Sequence, residues 1–168
     1  KKLAMLTGSV AAAMMLLPML EGNYAVAQTT NNDDDLFTER ITYPTDGGEM
    51  KGYIARPKKE AKYPAVVIIH ENRGLNPHIE DVARRAAEAG YLALAPDALS
   101  LLGGTPANED EARALFQKLD SNQNTTNFSK AFSYLPTRRD CNGKMGCVGF
   151  CWGGAMANQL AVHVPELR

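Results

Sequence analysis

Ala65-Val66-Val67-Ile68-Ile69 is an unbroken apolar run. Strands read this way when a sheet is covered on both faces, because neither side of the pleat has to meet water. The next segment fixes the setting. Asn76 has the side chain of a helix N-cap and Pro77 suits the first helical position, while Ile79, Val82, Ala83, Ala86 and Ala87 recur on one helical face. Gly90 ends that helix, and residues 91–95 make a second short apolar strand. Strand, helix and strand in this order predict a right-handed βαβ crossover, and so an α/β fold with a mostly parallel sheet and helices on both faces.

The rest of the chain fits around that unit. Residues 36–43 and 50–56 carry aromatic and β-branched side chains on either side of the turn signal Pro44-Thr45-Asp46-Gly47-Gly48, which predicts an antiparallel strand pair. After a loop at 101–107, Ala112, Leu115, Phe116 and Leu119 share one helical face. Phe128, Ala131, Phe132 and Leu135 share another, which Pro136 stops. These stripes read as core faces. Asn142-Gly143 reads as a turn leading into a strand at 144–150, and a helix begins at Trp152, carrying Ala155, Met156, Gln159, Leu160 and Val162.

The first 27 residues stand apart from the fold. Lys1 and Lys2 precede an apolar stretch at 3–20, Pro18 and Gly22 break it, and Ala25-Val26-Ala27 is a small-x-small site for cleavage before Gln28. This is the pattern of a secretory signal, which predicts an exported protein, periplasmic or secreted, with no stable membrane span after cleavage. An uncleaved membrane anchor is the competing reading. Residues 28–35 read as a flexible polar leader ending in Asp33-Asp34-Asp35, and the domain proper is expected over 36–168. A formal charge of -1 offers no basic footprint for nucleic acid and points instead to a small-molecule or protein partner. The chain has three cysteines, Cys141, Cys147 and Cys151. In an oxidising compartment an odd count suggests one pair and one free thiol. Cys141 with Cys147 is the expected pair, with either one as a plain core residue as the alternative.

The chemistry centres on Gly149-Phe150-Cys151-Trp152-Gly153-Gly154, which has G-x-nucleophile-x-G spacing between an apolar strand and a helix. A nucleophile at such a strand-to-helix turn sits on strained backbone with its side chain exposed, and flanking glycines leave room for the turn. The helix N-terminus there favours negative charge on sulfur. The backbone N–H of Trp152 is one candidate oxyanion-hole donor, and a second is expected in the loop near Asn72. A buried structural thiol in a tight glycine turn is the competing reading.

Three further stretches join the elbow: Val66-Val67-Ile68-Ile69-His70-Glu71-Asn72-Arg73-Gly74-Leu75, Gly90-Tyr91-Leu92-Ala93-Leu94-Ala95-Pro96-Asp97, and Gly143-Lys144-Met145-Gly146-Cys147-Val148-Gly149-Phe150-Cys151. Together they make the chain, from about Ile41 onward, resemble the dienelactone hydrolase (carboxymethylenebutenolidase) family. The resemblance implies an α/β-hydrolase fold and hydrolysis of a lactone or activated ester by a Cys-His-Asp triad, with an acyl-cysteine intermediate and neither metal nor organic cofactor. It assigns Cys151 as nucleophile and Glu71 as the carboxylate that contacts the resting thiol and helps deprotonate it, where a solvated loop charge is the plain alternative. It assigns Arg113 to the substrate carboxylate, with a solvated helix face as the alternative. Arg73, beside Glu71, is an additional cation that could hold Glu71 ionised, meet an anionic substrate or face water.

The family's triad Asp and His follow the nucleophile helix after further strands. The resemblance therefore places both beyond Arg168 and the C-terminal part of the fold outside this sequence. His70 and His78 match no triad position, His78 is expected to be exposed on the first turn of its helix, and His163 lies twelve residues past Cys151. Two other readings remain: a non-catalytic binding module on the same fold, and a thiol-redox protein, which the absence of a C-x-x-C spacing disfavours.

Overall fold

The structure, a computed structural model, describes residues 33–165 and 167. The stretch at 1–27, read from the sequence as a secretory signal, and the first part of the expected polar leader lie outside the described residues. At the leader's end Asp33–Asp35 form one 3-10 turn, held to the sheet by Lys58 N–H donating to the Asp35 carbonyl at 2.8 Å.

Nine strands and α-helices follow among the described residues. They are β1 (Leu36–Thr45), β2 (Gly48–Pro57), β3 (Tyr63–Ile69), α1 (Pro77–Glu88), β4 (Leu92–Pro96), α2 (Glu109–Phe116), α3 (Ser121–Tyr134), β5 (Cys141–Gly149) and α4 (Trp152–His163). The strands form one sheet in the order β1-β2-β4-β3-β5. It is mixed: β4, β3 and β5 run parallel, whereas β1 and β2 are an antiparallel hairpin that joins through β2 to β4. Thr45 pairs with Gly48, so Asp46-Gly47 is the two-residue turn that the sequence signals.

The expected helix start at Asn76 is realised, since its side chain accepts the Ile79 N–H and Pro77 fills the first helical position. Strand β4 shows why helices lie on both faces. Leu92 and Leu94 point to one side, into a core with Phe128, Ala131, Phe132, Met156 and Leu160 from α3 and α4. Ala93 and Ala95 point to the other, against Ile79, Ala83 and Ala87 of α1. Small side chains on both partners let α1 lie close to the sheet.

Two expectations change in β5. Asn142-Gly143 lies inside the strand, because residues 63–65 of β3 face residues 141–145 of β5 across a register shift. Gly143, at φ 84°, absorbs the extra residues as a bulge. The Cys141–Cys147 disulfide does not form, and all three thiols are free. Both residues lie on this one strand, and their β3 partners, Tyr63 and Val67, are four positions apart. That spacing is about 13 Å at strand rise, roughly twice what a disulfide spans. Strand β5 is also the last in the sheet order. Every residue of β4 is buried, whereas β5 is largely half-buried or exposed, with Val148 40% exposed.

Candidate active site

The turn from β5 into α4 carries Cys151 at φ 53° and ψ -112°, the one non-glycine residue with positive φ among the described residues. An L-residue adopts that geometry only where its surroundings over-determine it. They do so here by backbone contact. A Cβ on Gly149 would lie 1.9 Å from the Gly153 carbonyl oxygen, and one on Gly153 would lie 2.3 Å from that of Ile69. Both flanking positions therefore exclude any side chain, and the chain must turn sharply between them. Phe150 N–H donates to the Ile69 carbonyl at 3.1 Å, which ties the elbow to β3, and Gly154 N–H donates to the Cys151 carbonyl at 3.0 Å. The Cys151 side chain is exposed at the C-terminal edge of the sheet.

Register brings the other candidates to the same edge. Ile69 pairs with Gly149 on parallel neighbours, so Glu71 and Cys151 each lie two residues past a matched pair. Glu71 is half-buried and Asn72 exposed. Among the described residues neither the Glu71 carboxylate nor the Cys151 thiol has a hydrogen-bond partner, and the N–H groups of Asn72 and Trp152 have no backbone acceptor.

The two candidate substrate arginines converge on a residue that sequence reasoning missed. Glu109, first in α2, has Oε2 3.5 Å from Arg73 Nη1 and 3.7 Å from Arg113 Nη2, and Arg113 Nη1 also reaches Asp110 Oδ1 at 3.0 Å. Arg113 lies one helical turn before Phe116, whose ring meets the Trp152 indole edge-on at 4.8 Å. Helix α2 therefore reaches the elbow through Phe116, while Arg113 is held by Glu109 and Asp110. Nothing in the local sequence marks Glu109, since its partners come from a loop 36 positions away as well as from its own helix.

The other two thiols differ from Cys151. Cys141 is buried, and burial pushes the half-buried Cys147 thiol up, which keeps it protonated and weakly nucleophilic. No group of three or more metal-ligating side chains occurs among the described residues. Of the histidines, His78 is half-buried rather than exposed, lying between exposed Pro77 and Ile79, which α1 buries against the sheet. His163 is exposed at the far end of the twelve-residue α4, about 18 Å along the helix from Cys151.

Residues 50–168 match the Dienelactone hydrolase family. The chain belongs to that family. Among its relatives, the Escherichia coli protein described as "Putative hydrolase fragment YghX" is 54% identical over 112 residues, covering 64% of this chain and 96% of that one. A Yersinia pestis "Putative carboxymethylenebutenolidase" is 33% identical over 131 residues, covering 76% of this chain and 49% of that one. A crystal structure described as "Putative Dienelactone Hydrolase" from Klebsiella pneumoniae superposes with a TM-score of 0.68 at 30% identity, covering 79% of this chain and 57% of that one. A Pyrobaculum calidifontis esterase, at 22% identity and a TM-score of 0.60, shares the α/β-hydrolase fold. The chain thus spans about half the length of several dienelactone hydrolase relatives that it matches.

Proposed function

We propose that the protein hydrolyses a lactone or activated ester, with Cys151 as the nucleophile of an acyl-enzyme intermediate. One observation carries the reading: a cysteine, exposed, held at φ 53° between two glycines that no side chain can replace, at the C-terminal end of a parallel strand. Membership of the dienelactone hydrolase family supports the reaction class. In the acylation half the thiol proton passes to Glu71, sulfur attacks the carbonyl carbon, and the Trp152 and Asn72 N–H groups receive the developing oxyanion. Collapse breaks the acyl C–O bond, and the leaving oxygen takes up the proton held on Glu71. Water then attacks the thioester, releasing the acid and restoring the thiol. That second half needs a base, a role the family resemblance gives to a histidine. Arg113 and Arg73 suit a substrate bearing a carboxylate, which would compete with Glu109 for them. The signal-like pattern at 1–27 supports an exported protein, with the activity in the periplasm or the medium.

The test measures aryl alcohol release from an activated aryl ester, alongside opening of a dienelactone, by the chain and by its C151A and C151S variants. The reading predicts at least one equivalent of aryl alcohol per protein, with none above background from C151A. Equal release from C151A would refute it.

A further inference from the structure

We propose that His70 is a positioning residue for acylation: its ring locks the turn carrying Glu71 and Asn72 to the end of β4 and to Trp152 of the elbow. The proposal rests on the reading of Cys151 as nucleophile. His70 directly follows β3 and is fully buried, yet it belongs to no triad. Its Nδ1 lies 2.5 Å from the Glu71 carbonyl oxygen, and its Nε2 is 3.0 Å from the Ala98 backbone nitrogen. These partners define the tautomer. Nδ1 carries the proton and donates it to the carbonyl, while Nε2 is the acceptor for the Ala98 N–H. Burial pushes the imidazole below the usual histidine range, against the opposing pull of the Glu71 bond and the Asp97 charge, so the neutral form these bonds require is the one present.

The ring face completes the lock. It stacks on the Trp152 indole at 5.7 Å with 22° between planes, and Phe116 and Phe128 meet it edge-on, each at 6.3 Å. One side chain therefore holds the carbonyl of the proposed proton acceptor, the backbone after the neighbouring strand, and the residue whose N–H lies beside the nucleophile. Further along, the turn is tied down by Arg73 on Glu109 and by Leu75 N–H on Thr105 Oγ1 at 2.8 Å. Between those anchors and β3, the bond from His70 Nδ1 holds the turn's backbone at Glu71. An aliphatic side chain of similar size would fill the ring's volume but leave the Ala98 N–H buried without an acceptor, and the Glu71 peptide free to rotate. Misplacement of a reacting group by about 1 Å can cost about 10²-fold.

The test compares the 168-residue chain with H70L, H70N and H70Q, and with the remote core truncation L135A. Mass spectrometry follows acylation of Cys151 by an activated aryl ester over a range of concentrations. This separates the limiting acylation rate from the apparent dissociation constant, and thermal unfolding is recorded in parallel. Asn can place its amide N–H where Nδ1 donates to the Glu71 carbonyl but cannot reach the Ala98 N–H, whereas Gln can present a carbonyl to the Ala98 N–H but does not keep the Glu71 bond, so each restores one half of the lock. The proposal predicts a limiting rate about 10²-fold lower in H70L, rates between that and the parent's in H70N and H70Q, and a dissociation constant within about threefold of the parent in all three. L135A should lose stability and keep its rate. If H70L does not fold, the H70N and H70Q pair decides. H70N and H70Q acylating at the parent rate would overturn the proposal, as would a slowing that merely follows the unfolding midpoint across all variants. A parent chain that leaves Cys151 unacylated would instead remove the nucleophile reading, and this inference with it.

Discussion

Replacing Gly153 by alanine tests the elbow directly. The new Cβ would lie 2.3 Å from the Ile69 carbonyl oxygen, 2.7 Å from that of His70 and 2.9 Å from the Ile69 carbonyl carbon. A relaxed carbon-to-oxygen contact is about 3.3 Å, so β3 and the elbow must separate by about 1 Å. The obstacle is backbone on both sides, with no flexible side chain to swing away. Overpacking of this kind costs about 1–3 kcal/mol, which for a domain of this size lowers the unfolding midpoint by several degrees. The same displacement moves Cys151 relative to Glu71 and should slow acylation about 10²-fold. Gly146, on the same edge strand, is the control, since a Cβ there meets nothing within 4 Å. Calorimetry and acylation rates on both variants are the assay. G153A should lose stability and rate together, and G146A should lose neither. A G153A protein with the parent's midpoint and rate would refute the close packing of elbow against β3.

Limited iodoacetamide treatment should label Cys151 first, because Cys141 is buried and burial raises Cys147; peptide mapping that finds Cys147 labelled ahead of Cys151 would contradict this. Stability should fall as the solution is acidified from about pH 6.5, because burial depresses His70 in the folded state. Its contribution is complete above the unfolded value of about 6.5 and is lost as pH falls through the lower folded value. In H70Q the midpoint should therefore change less over that window. Asp140 acts in a lower window. Burial alone would raise its carboxyl, but the Arg138 hydrogen bonds and the Arg138 and Arg56 charges outweigh that and depress it, so its contribution is present above about pH 3.9 and lost below. D140N should cost about 1.5–3 kcal/mol at neutral pH by weakening the bonds from Arg56 Nε and Arg138 Nη2, both 2.9 Å, as urea unfolding would show.

Much of this fold was legible because its signals are local. The Asp46-Gly47 hairpin, the Asn76 cap with Pro77, and the apolar runs of β3 and β4 each combine a backbone requirement with the residue type that meets it. The elbow was legible for the same reason, since two glycines and a strand-to-helix change lie within five residues. What escaped depends on partners distant in sequence. Asn142-Gly143 reads as a turn by composition, and only its register against β3 makes it a bulge. Cys141 and Cys147 are close in sequence but held apart by the extended strand they share. His70 gave no sign of its role, because its partners are the Ala98 amide 28 residues on and the Trp152 ring beyond that. Glu109 is a similar case, an ordinary first-turn acid whose contact with Arg73 appears only once the β3 turn and α2 are brought together.

The most direct measurement is the identity of the acylated residue. The chain is treated briefly with an activated ester, quenched in acid and mapped by peptide mass. The account predicts a single acyl adduct on the peptide containing Cys151, removable by hydroxylamine and absent from C151A. An adduct on another residue that persists in C151A, with the Cys151 peptide unmodified in the parent, would contradict it.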